Sequence, residues 1–464
     1  VSTPHGIGGI SVVRLSGPQA FFLIKKLAVF LPEKLESHRI YFGTLSDHTN
    51  SKKIDEVLIS CFHKGKSYTG DETVEISCHG NPVITSWILQ ELIILGARSA
   101  DRGEFTYRAF INGNVDLIQA ESVLSIIESQ SRKSSEQALM QLKGNLSSSL
   151  KKIEDDILWC LTRLEVSIDF STEDIEIISN KDLSERLIRA QAAIVKLLST
   201  YKSGKIINDG INIVLIGRPN VGKSSLLNLL SGEEKAIVTD IPGTTRDLIE
   251  TSINYNGFKI KLTDTAGLHE AVDVVEKIGI EKTKKILSSA DIILFIYDLS
   301  VGFLKEDIEL IELLNPINTF ILGNKSDLIS NDHQLLRDQI SSKLTNSNFY
   351  SKIQNLKDYF SQNIALISTK DEKSLTSIYK FINEFINLNS FEDQTLVFQS
   401  RHFENLSKVN ENIERALLLV KSNSSAEFMS LELKEALILL HETLGKRFDD
   451  QIMDQVFKEF CIGK

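Results

Sequence analysis

The chain has 464 residues, enough for about three domains of ordinary size. Its 52 Lys and Arg stand against 62 Asp and Glu, for a net charge of −10 and a pI near 5.5. That balance excludes a protein that grips nucleic acid through a general basic surface, because phosphate binding demands clustered cations.

Residues 1–115 alternate short β-rich runs, such as 9–14 and 74–77, with helical segments such as 83–95, the pattern of an α+β domain. Phe21-Phe22-Leu23-Ile24 is stopped by Lys25-Lys26, no other apolar run approaches a bilayer span, and no signal-peptide pattern occurs. A soluble cytoplasmic protein without a membrane partner is expected. The sequence opens on Val1, so a few native residues, including the initiator, are expected to precede it. Cys61 and His63, with Cys78 and His79 following, invite a zinc reading, but adjacent Cys and His rarely chelate one ion together. Packed strand residues are the better account. Four cysteines without a C-x-x-C pair suit a reducing compartment.

Residues 116–207 turn helical, with apolar positions three and four apart. Lys202-Ser203-Gly204-Lys205 reads as the junction into an α/β domain over 208–389, which contains the hairpin turn Asn256-Gly257. Helical text resumes over 390–464. The two helical stretches can pack on each other, making the α/β domain an insertion, or form separate bundles. In the tail, Cys461 fits a prenylation signal poorly, because Gly463 and Lys464 follow it. Its thiol could act as a nucleophile or be a bystander, and an ancillary role is expected.

The chemistry concentrates in the α/β region. The apolar run 211–216 leads into Gly217-Arg218-Pro219-Asn220-Val221-Gly222-Lys223-Ser224-Ser225, a phosphate-binding loop opening a helix. Gly217 and Gly222 let backbone N–H groups converge on one anion at the helix N-terminus. Lys223 would bridge the outer phosphates, and Ser224 would ligate Mg²⁺. In Thr239-Asp240-Ile241-Pro242-Gly243-Thr244-Thr245, Thr245 is the expected second Mg²⁺ ligand. Asp264-Thr265-Ala266-Gly267 follows a further strand, with Asp264 reaching the metal indirectly and Gly267 sensing the terminal phosphate. Asn324-Lys325-Ser326-Asp327 selects GTP, since the Asp327 carboxylate can accept two hydrogen bonds from the guanine edge that adenine cannot donate. Ser368-Thr369-Lys370 would back the base. A GTPase results.

Leu268 stands where switches of the Ras type carry a water-orienting glutamine, so catalysis needs another source. Asn220, with Thr239, Ile241 and Thr244 around it, could cage a monovalent cation beside the β–γ bridge, or could merely shape the loop. Arg246 is a competing charge donor. Glu276 is the nearest acid able to position water.

Together with Gly103-Glu104-Phe105-Thr106, Arg108-Ala109-Phe110, Asp116-Leu117-Ile118-Gln119-Ala120-Glu121, Tyr68-Thr69-Gly70-Asp71 and Phe460-Cys461-Ile462-Gly463-Lys464, these motifs resemble the MnmE (TrmE) family over the whole chain. The resemblance implies a multidomain α/β plus α fold: an N-terminal α+β folate-binding and dimerisation domain, and a Ras-like GTPase domain inserted into a helical one. It implies K⁺ at Asn220, Glu276 as the water-positioning acid, and pairing of GTPase domains. It further implies a homodimer through the N-terminal domain and a heterotetramer with the FAD-dependent protein MnmG (GidA). The implied product is an aminomethyl or carboxymethylaminomethyl group on the wobble uridine of certain tRNAs. Its one-carbon unit would come from 5-formyltetrahydrofolate or methylenetetrahydrofolate at Arg14, Glu75, Asn114 and Lys464. Asn114 departs from the family lysine, and an amide there replaces a cation that would meet a carboxylate. The competing reading is a ribosome-assembly GTPase acting as a binding switch.

Overall fold

A computed structural model of the chain describes residues 1–169, 179–233, 249–264, 286–329, 342, 349, 363–388, 395–447, 456–460 and 463. Internal contacts gather residues 1–128, 138–199 and 399–464 into one compact unit, and residues 129–137 and 200–398 into a second. The second unit is therefore an insertion in the chain of the first.

The first unit begins with an antiparallel sheet of β1 (Gly8–Ser16), β2 (Arg39–Ser46), β3 (Lys53–Phe62) and β4 (Thr73–Gly80), in the order β1-β4-β3-β2. Side chains alternate between its faces. Val13, Ile59 and Ile76 are wholly buried, in one core with Leu23, Ile24 and Leu27 of α1 (Ala20–Leu27) and Ile88 and Leu92 of α2 (Pro82–Ile94). Asn81 starts α2 by accepting the Val83 N–H at 2.8 Å. On the opposite face, the cross-strand rows Phe42–Leu58–Ser77–Val12 and Ile40–Ser60–Glu75–Arg14 set apolar groups beside one charged pair. Ile10, Ile40 and Phe42 on that face are each more than 60% exposed.

After α3 (Glu104–Ile111), α4 (Leu117–Glu128) and α5 (Arg132–Leu142), the chain enters two long amphipathic helices, α6 (Asn145–Asp169) and α7 (Asn180–Ser199). Leu146, Leu150, Ile153, Ile157, Cys160 and Leu164 form the buried stripe of α6 at three- and four-residue spacing. The helical text beyond the insertion supplies the matching faces: Leu406, Val409, Ile413 and Val420, and then Leu433, Ala436 and Leu440. All four helices pack on one another, so the two helical stretches form one bundle. Each fully buried Leu or Ile contributes about 1.5–3 kcal/mol.

In the second unit, α8 (Tyr201–Asp209) leads into a six-stranded sheet of β5 (Ile211–Ile216), β6 (Ile249–Tyr255), β7 (Phe258–Asp264), β8 (Ile292–Asp298), β9 (Thr319–Asn324) and β10 (Ile364–Leu366). The order is β10-β9-β8-β5-β7-β6, parallel except for β6. Every residue of β8 is buried, as a central parallel strand covered on both faces must be. The longer described helices of this unit after α8 are α9 (Lys223–Glu233), α10 (Lys305–Glu312) and α11 (Ser374–Leu388). The turn at Asn256 and Gly257 has φ of +49° and +79°, the mirror-image turn a tight hairpin requires.

One expectation changes. Lys202-Ser203-Gly204-Lys205 is no linker but lies inside α8, and the contact boundary falls at Thr200. Gly204 serves close packing: a Cβ there would run into the Val397 carbonyl.

Glu121 of α4 is buried, with its carboxylate 2.7 Å from the Arg401 guanidinium and 2.8 Å from His402 Nε2, on the helix Ser400–Lys421. Burial opposes its ionisation, yet the contacts with His402 and Arg401 keep its pKa below the ordinary value. A group depressed on folding contributes stability above its unfolded pKa, near 4.3, and loses it as pH falls through the folded value. Glu121→Ala should cost about 3–5 kcal/mol at pH 7, because it leaves the Arg401 guanidinium and the buried His402 ring without their carboxylate partner. In urea unfolding the gap to the parent chain should narrow as the pH falls below about 4.

Candidate functional site

In an open parallel sheet, ligands bind in the crevice at the C-terminal strand ends, where successive connections leave in opposite directions. In the second unit that edge gathers the loop after β5, Asp264 ending β7, Asp298 ending β8, Asn324 ending β9, and Ser368 just after β10. Five chemistry-bearing segments thus meet because of strand order alone.

The loop 217–222 turns back on itself before α9. Asn220 (φ +63°) and Gly222 (φ +103°) both occupy left-handed backbone. Lys223 is 4% exposed, and its ammonium donates to the carbonyls of Gly217 at 2.8 Å and Arg218 at 2.9 Å. Burial lowers its pKa, and the nearby Asp264 carboxylate opposes that shift. A buried ammonium beside a helix N-terminus can hold an anion such as a phosphate. Ser224 Oγ donates to Asp264 Oδ2 at 3.0 Å. A hydroxyl and a carboxylate at that separation are the hard oxygen pair that fits Mg²⁺. Ser225 follows, exposed, in the first turn of α9, and Val221 is buried beneath the loop.

Asn324 locks this loop to the rest of the edge. Its side chain is wholly buried, donating to the Val221 carbonyl at 2.7 Å and accepting the Thr369 N–H at 3.2 Å. It fits because Gly222 has no Cβ, which would overlap the Asn324 amide. Lys325, at φ +65°, reaches Asp298 at 2.6 Å. Ser326 begins the short turn that presents Asp327. The Asp327 carboxylate accepts from Ser368 Oγ at 2.7 Å and from Lys370 Nζ at 3.1 Å, and these two donors hold its pKa below the usual carboxylate range. It is a fixed anionic acceptor at neutral pH, suited to a paired N–H edge.

Two members of this edge escaped the sequence reading. Asp298 holds Lys325 while accepting from Ser300 N and Oγ, and its place at the end of the apolar run 292–298 was the available signal. Asp307 is wholly buried, receives Arg218 Nε at 2.8 Å and caps α10 through the Leu304 N–H. Nothing in the spacing of Arg218 and Asp307 announces that pair.

Thr239, Asp240, Ile241, Pro242, Gly243, Thr244, Thr245, Arg246, Thr265, Ala266, Gly267, Leu268, Glu276, Cys461 and Lys464 lie outside the described residues.

In the first unit, Arg14 and Glu75 are brought together, with Nε and Nη2 of Arg14 at 2.9 and 2.7 Å from Glu75 Oε1. The guanidinium also lies 5.5 Å from the Phe105 ring centre and 6.0 Å from that of Tyr68. Asn114 donates to the carbonyls of Ser67 and Tyr68 at 3.1 and 3.0 Å, so it borders the same tyrosine. Arg14, Phe105, Arg108 and Gly463 line a cleft of about 310 Å³. Burial opposes ionisation of Glu104 on its rim, but Arg98, the Asp101 N–H and Arg108 bring it down to about 2. Cys61 is buried and its thiol is pushed up to about 11, while His63 Nε2 bonds the Leu35 carbonyl and Cys78 the Ser11 carbonyl.

Residues 117–461 match the family model described as the MnmE helical domain, and residues 1–114 match that of the GTP-binding protein TrmE N-terminus. The tRNA modification GTPase MnmE of Bdellovibrio bacteriovorus is 50% identical over 466 residues, spanning 100% of this chain and 97% of that protein. The protein of the same description from Natranaerobius thermophilus is 37% identical over 470 residues, 100% and 98% of the two chains. Among solved structures, Aquifex aeolicus Era bound to GDP and AlF4⁻ gives a TM-score of 0.28 at 27% identity, covering 43% of this chain and 66% of that one.

The Gly222 geometry yields a direct test. Gly222→Ala forces a Cβ into Asn324 at a positive φ and should destabilise the chain by about 1–3 kcal/mol. Chemical denaturation should show a lower midpoint, and equilibrium titration should show lost nucleotide affinity.

Proposed function

The chain belongs to the MnmE family of tRNA modification GTPases, and on that premise we propose a K⁺-dependent GTPase acting on the wobble uridine of certain tRNAs. It works with the flavoprotein MnmG (GidA) and installs an aminomethyl or carboxymethylaminomethyl group, using a one-carbon unit from tetrahydrofolate. The observation that carries this reading is the 50% identity across both chains nearly end to end, which takes in the phosphate loop and both flanking domains at once.

Within it, the loop 217–222 and the α9 N-terminus wrap the phosphates, with the Lys223 ammonium turned from its two carbonyls onto the outer phosphates. Ser224 and Thr245 would hold Mg²⁺, with the Asp264 carboxylate beside Ser224 supporting the site. Asp327 reads the guanine N–H edge, while Asn324 and the 368–370 loop back the base. The amide of Asn220 stands exposed at the crest of the loop, and among the described residues it has no hydrogen-bond partner. Asn220, Thr239, Ile241 and Thr244 would hold K⁺, which would supply positive charge to offset the negative charge that builds up during hydrolysis. Glu276 orients the water, because Leu268 cannot.

In the N-terminal domain, Arg14, Glu75, Asn114 and Lys464 hold the folate. The guanidinium flanked by two aromatic rings supports that assignment. The uncovered apolar half of the four-stranded sheet supports a homodimer, since exposed apolar patches of this kind mark contact surfaces. Arg14 and Glu75 sit on that same face.

Mass analysis of wobble nucleosides from cells lacking the protein should show the modified uridines gone, and an unchanged nucleoside profile would sink the reading. At equal ionic strength, GTP hydrolysis should be faster in K⁺ than in Na⁺ by on the order of 10²-fold. Asn220→Ala should erase that difference, whereas equal rates of the parent protein in both salts would remove the cation from the assignment.

A further inference from the structure

Away from the nucleotide edge, the second unit carries a groove of about 760 Å³ with one side formed by α8 and the other by β7. It opens around Gly210, Asn212 and Asp291, at the N-terminal ends of the parallel strands, the end opposite the phosphate loop. Lys202 and Lys205 of α8 line it, three residues apart on one helix face and both exposed. Lys259 and Lys261 of β7 line it from the other side, two apart and so on one face of the strand. Their neighbours Ile260 and Leu262 are wholly buried on the opposite face. That alternation fixes the lysines outward.

Four lysines against Asp209 and Asp291 leave a local positive excess in a chain whose overall balance is −10. Among the described residues, Lys202, Lys205 and Lys261 make no ion pair within 4 Å, so their charges are not consumed by the protein. Asp291 at the groove floor is engaged: its Oδ2 accepts the Asn212 N–H at 2.9 Å. Burial pushes its pKa up, while that N–H and the fields of Lys202, Lys205 and Lys261 pull it down. Three ammonium groups thus act on one point of the floor.

We propose that this groove binds the phosphate backbone of the RNA substrate. The inference rests on the tRNA-modifying reading and answers the difficulty it raises, since an acidic chain must hold a polyanion through a local patch. Two facing rows of flexible ammonium groups give backbone contact without base readout. Such contacts position an RNA, while sequence choice is made elsewhere. Lysine suits this role, being a strongly hydrated point charge on a flexible stem.

The test measures binding of unfractionated tRNA to the full-length protein over a series of salt concentrations. The parent chain is compared with the triple variant Lys202→Gln, Lys205→Gln, Lys261→Gln, and with the same three positions changed to Arg. The glutamine variant should bind on the order of 10²-fold more weakly, with a log–log salt slope shallower by about 2–3. The arginine variant should bind like the parent. GTP hydrolysis without RNA should be the same in all three, which reports that the nucleotide unit is folded. The double variant Lys202→Gln, Lys205→Gln touches only exposed helix positions and should show an intermediate loss. Parental affinity and slope in both glutamine variants would overturn the proposal while leaving the tRNA reading intact. No binding of tRNA by the parent chain would instead overturn that reading and the groove assignment with it. If poly-glutamate binding alone depended on the lysines, the groove would belong to an acidic protein segment and the RNA assignment would fall.

Discussion

One buried amide organises the nucleotide edge. Asn324 stands at the end of β9, yet its side chain crosses to the β5 loop at Val221 and at the same time receives the Thr369 N–H. Three segments far apart in sequence are thereby held in one register: the loop that wraps an anion, the strand end that presents Asp327, and the loop that carries Ser368 and Lys370. Each bond is an ordinary amide contact, but both ends are shielded from water, where an unpaired polar group costs about 1–3 kcal/mol. Gly222 is the counterpart of this arrangement. Its lack of a Cβ is what allows the amide to approach, and its positive φ turns the following residues into the helix.

The cations follow from the same economy of placement. A chain with ten more acidic than basic groups cannot attract phosphate by bulk field, so each positive site is set by specific neighbours. Lys223 is buried against two carbonyls, Arg14 is paired with Glu75 beneath aromatic rings, and the α8 and β7 lysines face one groove. Lys325 and Arg218 serve the protein itself, since each is spent on a carboxylate that shapes the loop edge.

Much of this was legible in the sequence because glycine spacing, strand periodicity and strand-end motifs are local signals. The run 211–216 is the strand read from its apolar residues, Asn256-Gly257 forms the turn its residue types require, and the α6 stripe repeats at helical spacing. Contacts between distant segments were not legible. Arg218 meets Asp307 across 89 positions, and Glu121 meets His402 across 281, and no period in the text encodes either. Gly204 shows the opposite error. A glycine between two lysines has the composition of a linker, but its value here is the absence of a side chain against a neighbouring carbonyl. Composition reports what a residue permits, and only tertiary context decides which permission is used.

That glycine bears on how the inserted unit is anchored. Thr200 opens the segment that enters the unit, and residues 395–398 close it. Val397 donates its N–H to Thr200 Oγ1 at 3.1 Å, and its carbonyl faces Gly204 in the next turn. Both polar groups of one backbone residue thus lie against the start of α8, while Ile206 and Leu396 share the sheet core. Entry and exit are consequently fastened side by side, as an inserted domain requires if its host is to keep a continuous bundle. The packing at Gly204 is therefore what lets the two connections of the inserted unit meet at the start of α8.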